Sequence, residues 1–139
     1  MADLIGAVVA LLKADTATAA QVGVRVFGGE LPPAETALMP RKAIVLTPSG
    51  GTSLTSGSFV EADTQRFDLF AYGATPAEAE ALRDTAALAL RRARRRVWAG
   101  VLIHWLKPAG GATNARDANA QWPRAFQSFQ ALHALNSVS

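Results

Sequence analysis

Apolar residues first recur at helical spacing, as Leu4, Val8, Leu11 and Leu12, with Asp3 just ahead where a helix start favours it. This predicts a helix over 3–14. The stretch from Thr16 to Ala20 fits a turn or a short second helix. Val22, Val24 and Val26 then alternate with Gly23, Arg25 and Phe27, the period of a strand, which Gly28 and Gly29 close. Three prolines between Leu31 and Pro40 predict an extended loop. Lys42 to Thr47 reads as a compact strand buried on both faces. Pro48 to Gly57 is rich in Gly and Ser, whose ordering costs entropy, and reads as flexible.

Strand character resumes from Ser58 to Tyr72. Phe67, Leu69 and Ala71 share one face, against Arg66, Asp68, Phe70 and Tyr72 on the other. Thr75-Pro-Ala-Glu78 is a capping box with proline at the first helical position. The helix it opens is expected to run to Arg96 or Val97 and to end before Gly100. Its apolar face would hold Leu82, Ala86, Ala89, Leu90, Ala93 and Val97, so Leu82→Asp is expected to unfold the chain. Val101 to Lys107 follows as a strand, with His104 on the face of Leu102 and Leu106. Pro108 to Gln121 reads as a second polar loop. Arg124 to Leu135 reads as a last strand, with Ala125, Gln127, Phe129, Ala131, His133 and Leu135 on one face and Phe126, Ser128, Gln130, Leu132 and Ala134 on the other. These elements predict an α+β fold: a mixed or antiparallel sheet of four to five strands with two helices packed on one face, in a single domain over 1–139.

Composition narrows the chemistry. The 139 residues suffice for one core, and 18% charged residues with 50% hydrophobic ones exclude a disordered composition. Without Cys there is no disulfide framework, zinc–thiolate site or cysteine nucleophile. The longest apolar run, Leu4 to Leu12, is too short to span a bilayer, so neither a targeting segment nor a membrane partner is read. The net charge of +3 rests on Arg91, Arg92, Arg94, Arg95 and Arg96; without them, nine basic residues face eleven acidic ones. The chain is therefore near neutral with one arginine cluster. That cluster fits phosphate or an acidic partner. It equally fits cations favoured at a helix C-terminus and a solvated helix face.

No catalytic pattern emerges. His104 and His133 each stand alone in a strand and lack metal-ligand spacing. Pro48-Ser-Gly-Gly is no nucleophile elbow, and neither Gly pair (Gly50-Gly51, Gly110-Gly111) has the Lys-Ser/Thr sequel of a phosphate loop. Glu78 already caps a helix. Trp98, Trp105 and Trp122 fit core or interface positions better than base-stacking ones. No cofactor or enzyme activity is expected.

The succession of an N-terminal amphipathic helix, Val22-Gly-Val-Arg-Val-Phe27, Arg66-Phe-Asp-Leu-Phe-Ala-Tyr72, the capped helix Thr75-Pro-Ala-Glu-Ala-Glu-Ala-Leu82 and two closing strands resembles the tail-terminator (tail-completion) proteins of long-tailed bacteriophages and gene transfer agents. The resemblance covers nearly the whole chain. It implies a virion protein at the tail–neck junction, assembled in the bacterial cytoplasm as a six-membered ring that caps the tail tube, stops its polymerisation and meets the head connector or stopper. It implies no cofactor and no catalysis. A closed ring needs two different surfaces per subunit. The loop residues Ser49, Thr52, Leu54, Thr55, Asn114, Arg116, Asp117 and Trp122 are candidates for subunit or partner contacts. Arg91, Arg92, Arg94, Arg95 and Arg96 are candidates for the lumen or for passing contact with DNA. Two other readings fit the same residues: another neck or tail subunit such as a head–tail stopper, and a small nucleic-acid-binding module built on Arg91–Arg96. Because the 48–57 stretch reads as flexible, deleting Thr52 to Ser56 is expected to leave a folded subunit.

Overall fold

The computed structural model describes residues 3–50, 62–116 and 120–134. Thr52, Leu54, Thr55 and Asp117, and with them the proposed 52–56 deletion, lie outside the described residues.

Helix α1 (Leu4–Ala14) begins where the sequence places it, because the Asp3 carboxylate accepts from the Gly6 amide at 3.0 Å. Asp15 ends α1 and starts α2 (Thr16–Val22) through a 3.0 Å bond from the Thr18 amide. The ambiguous stretch is thus a helix, and it takes Val22 from the expected first strand. Val22 is fully buried within α2, Gly23 turns the chain at φ 60°, and only Val26–Gly28 remains as strand β1. The proline-rich segment also differs from expectation. Pro33, preset for a first helical turn, opens the short helix α3 (Pro33–Thr36).

The strands β2 (Ala43–Gly50), β3 (Ala62–Tyr72), β4 (Arg96–Trp98), β5 (Val101–Pro108), β6 (Thr113–Arg116) and β7 (Pro123–Ala134) join β1 in one seven-stranded sheet. Its order is β1-β2-β3-β7-β5-β4, and β6 pairs with β7 beyond the end of β5. Only β1 and β2 run parallel. The expected mixed α+β architecture is present, with a larger sheet and two extra short helices. Pro48, Ser49 and Gly50, expected in a flexible loop, continue β2 past a bulge, and β6 occupies part of the expected 108–121 loop.

One sheet face and helices α1 and α4 (Pro76–Arg92) enclose the core. The alternation of β3 and β7 decides which face turns inward. Phe67, Leu69 and Ala71 face Leu82, Ala86 and Leu90 of α4, and Phe67 stacks on its cross-strand partner Phe129 at 5.8 Å. Ala43, Ile44, Val45 and Leu46 are all buried, as the compact apolar run requires. Full burial of an aliphatic side chain contributes about 1.5–3 kcal/mol. Leu82 is wholly buried among such residues, so a carboxylate there has no polar partner.

Two local readings of the second half need correction. Helix α4 stops at Arg92, not Arg96; Ala93 is its C-cap, in extended conformation. Arg96, Val97 and Trp98 pair instead with Ile103, Leu102 and Val101 as a hairpin. Its two-residue turn is Ala99-Gly100, both at positive φ, so Gly100 closes a hairpin and not a helix. A register shift between Ile103 and Trp105 separates His104 from the face of Leu106. Leu106 points into the core with Val101 and Ile103, while His104 stays half-exposed.

Candidate functional site

Helices α1 and α4 cover one sheet face. The other is built from the alternate residues of the same strands: Phe27, Val45 and Thr47; Asp68, Phe70 and Tyr72; Arg124, Phe126 and Ser128. Register brings them together. Phe70 and Phe126 are cross-strand partners whose rings lie 5.4 Å apart at 35°, and the Arg124 guanidinium sits 4.7 Å above Phe70. Trp122, just before β7, meets Tyr72 edge-on at 6.2 Å. Deeper along the face, Ser128 Oγ donates to Asp68 Oδ1 at 2.6 Å.

The segment after β1 raises a wall beside this aromatic band. Glu30, Leu31, Val45, Tyr72, Trp122 and Arg124 line a concavity of about 440 Å³. The wall is held by a bidentate ion pair: Arg41 Nε and Nη2 donate to the two carboxylate oxygens of Glu35 at 2.7 and 2.8 Å. The Arg41 hydrogen bond holds the Glu35 carboxyl below its usual range.

Trp122 therefore sits at one end of the outer face, half-buried and half-offered. Asn114 and Arg116 lie close by on β6, whose register runs Thr113↔Phe126 to Arg116↔Pro123. Ser49 is exposed but far off, at the end of β2 beside Arg66 in the middle of β3. The candidate contact residues thus fall into two separate places. Sequence reading missed Phe70, Arg124 and Phe126 as partly exposed residues, with Tyr72 buried beside them. The imperfect alternation of polar and aromatic residues in β3 and β7 was the signal, since a solvated face would not hold this many rings.

The arginines do not form one helical stripe. Arg91 and Arg92 end α4, Arg94 and Arg95 lie in the turn that follows, and Arg96 begins β4 with its guanidinium 4.2 Å over Trp98. All five are exposed. Trp98 packs against the core from β4, not from a helix end.

Buried polar groups outside this face have structural partners. Arg83, 6% exposed, donates from Nη1 to Asn114 Oδ1 at 2.7 Å and to the Thr113 carbonyl at 3.2 Å, tying α4 to β6. His133 is buried, with Nδ1 2.9 Å from the Ala134 carbonyl oxygen. Among the described residues no His, Asp and Glu group is disposed to hold a metal ion, and no single helix is long and apolar enough to cross a membrane.

Two solved structures share this architecture. A chain from the virion of a native gene transfer agent particle superposes with a TM-score of 0.67 at 22% identity, covering 94% of each chain. The gp17 protein of bacteriophage SPP1 gives a TM-score of 0.52 at 19% identity, covering 96% of this chain and 88% of that one. A search of curated protein sequences gives no match. The family model described as tail completion protein gp17 matches residues 6–134, nearly the whole chain. The chain therefore belongs to the gp17 tail completion family, whose members are structural tail proteins and not enzymes.

Proposed function

We propose that this protein caps the tail tube of a phage-like particle as a closed ring of six copies, ends tube growth and offers the opposite rim to the head connector or stopper. Its place is then the tail–neck junction of the virion, reached by assembly in the host cytoplasm. One observation carries the reading: the sheet has a second face, covered by neither α1 nor α4 and bordered by the α3 segment, on which Phe70, Trp122 and Phe126 stay only half-buried. Aromatic side chains with arginine beside them are what protein interfaces enrich. A ring of identical subunits also needs two unlike surfaces that meet head to tail. The Asn114–Arg116–Trp122 region and the Ser49 end of β2 are two such separate surfaces. Family membership and the likeness to a virion chain support placing those contacts in a tail.

Negative-stain imaging and light scattering of the purified chain, alone and with isolated tail tubes, test the reading. Rings of about six copies, free or only on tube ends, are expected. A chain that stays monomeric and also fails to bind tube ends overturns it.

A further inference from the structure

We propose that the arginine turn after α4 is a head-to-tail contact surface whose partner is the acidic first half of α4 in the next copy of this chain. This rests on the ring reading above and names the charges that join one subunit to the next.

The turn concentrates charge at one exposed corner. Arg91, Arg92, Arg94, Arg95 and Arg96 are all exposed, and among the described residues none of them forms an ion pair. Helix α4 ends at Arg92 and Ala93 is extended, so the five run from the helix end through the turn into β4. Their mutual repulsion raises the free energy of the isolated subunit, and carboxylates of a partner relieve it. The corner is also shaped. Arg96 lies over Trp98 at 4.2 Å, and Arg92 borders a concavity of about 390 Å³ lined in part by Leu88, Ala89, Ala93 and Trp98. The carboxylate on that lining, Asp15, already accepts from the Thr18 amide and hydroxyl.

The first half of α4 carries the opposite sign. Glu78, Glu80 and Asp84 have one guanidinium among them, that of Arg83, which is buried and also bound to Asn114. Arg116, on the nearby β6, donates to the Gln121 carbonyl at 2.9 Å instead. Glu80 and Asp84 are exposed, and the exposed Ala77 and Ala81 beside them offer small apolar side chains to the concavity of the next copy. Glu80 and Arg92 are about 18 Å apart along the helix axis. The sheet separates the two surfaces in the same sense. Asn114, beside Arg83, pairs with Ala125 near the start of β7, whereas Arg96 pairs with Ile103, itself paired with His133 near the end of β7. One subunit thus presents a basic surface towards one end and an acidic one towards the other. Joined end to end, every contact is the same unlike pair, which a closed ring of identical copies requires. Duplex DNA fits the turn less well. Outside it, nine basic residues face eleven acidic ones, so no broad basic surface continues from the turn to follow a phosphate backbone.

Assembly is scored as rings free in solution and on the ends of isolated tail tubes, by light scattering and negative-stain imaging. Two charge reversals are compared: Arg94→Glu with Arg95→Glu on the turn, and Glu80→Lys with Asp84→Lys on the helix. Each alone is expected to weaken ring assembly about tenfold or more, because it sets like charges against each other. An equimolar mixture of the two should restore rings in which the variants alternate, read by native mass spectrometry. Circular dichroism confirms that each variant is folded, and Glu80→Lys alone, which leaves the Arg83–Asp84 contact intact, repeats the helix test. Rings that neither reversal alters overturn this inference and leave the ring reading standing, as does a mixture that stays disassembled. A mixture that stops at dimers shows a twofold contact and overturns it too. Duplex DNA binding lost in the Arg94→Glu, Arg95→Glu variant, with rings unchanged, assigns the turn to nucleic acid instead. A wild type that forms no rings, free or on tubes, removes both readings.

Discussion

Arg83 shows how one residue can sit against its own pattern. An arginine beside Leu82 on a helix is expected to reach solvent, yet its side chain is almost wholly buried. The guanidinium fork explains this, since it meets Asn114, the Thr113 carbonyl and Asp84 together. Replacing it by Leu would leave the Asn114 and Thr113 acceptors without their donor. The expected loss is about 1–3 kcal/mol in urea unfolding, with faster amide exchange in β6 as the first local sign. Arg83→Lys should recover only part of it, because an ammonium cannot span the same acceptors. Unchanged β6 exchange in the Leu variant would show that the strand is held by β7 alone. Glu35 gives a pH-dependent counterpart. Its folded carboxyl is held below the ordinary value of 4.5, first by the hydrogen bond from Arg41. A lowered pKa adds stability that is present above about pH 4.5 and is lost as pH falls through the folded value. The stability gap between the wild type and Glu35→Gln should therefore be widest near neutral pH and close on acidification. A gap that does not change with pH would mean the carboxylate charge contributes nothing there.

Elements with strong local signals match the sequence, and those decided by tertiary pairing do not. Asp3 and Thr75 cap α1 and α4 where the residues place them, and the inward set Phe67, Leu69 and Ala71 follows from alternation. The end of α4 is different. Helical periodicity continues to Val97, but an extension would put Arg91 beside Arg95 and Arg92 beside Arg96, four residues apart and of like charge. Pairing with β5 wins, and the three residues Arg96–Trp98 become β4. β6 is similarly unreadable, because Thr113–Arg116 has no alternation of its own and is a strand only beside Phe126 to Pro123. The outer aromatic face was legible as residues but not as a surface, since sequence gives the period of a strand and not which face a helix covers. The hairpin adds a test at this scale. Ala99 adopts φ 47°, a left-handed position that costs a non-glycine residue about 1–2 kcal/mol. Ala99→Gly should raise stability by about 1 kcal/mol, less the entropy glycine adds to the unfolded chain. A lower melting temperature would show that the Ala99 methyl group makes contacts worth more than the strain.

At the scale of the whole molecule, the proposed function divides the sheet between stability and assembly. Its inner face and the two long helices hold the fold, so residues there cannot be changed without loss of the subunit. On the outer face Tyr72, Val45 and Ser128 are buried, whereas Phe70, Trp122, Arg124 and Phe126 are only half-buried, so the latter can be exchanged with less effect on the monomer. Trp122 separates the two roles. It touches Tyr72 edge-on, lies outside the core and borders the 440 Å³ concavity beside Arg124. Trp122→Ala should cost the isolated subunit no more than about 1 kcal/mol, the typical worth of one aromatic pair. If that surface meets a neighbouring subunit or the tube, the same change removes a buried aromatic anchor, and such anchors carry about 2 kcal/mol or more of binding. The two effects are read in parallel, by thermal melting of the subunit and by cosedimentation with isolated tail tubes. Weak cosedimentation with near-normal melting is the expected pair of results. Normal cosedimentation would move the contact elsewhere, towards Ser49 at the end of β2. A large fall in melting temperature would mean that Trp122 belongs to the fold itself, and would leave Asn114 and Arg116 beside it as the candidates for the proposed contact.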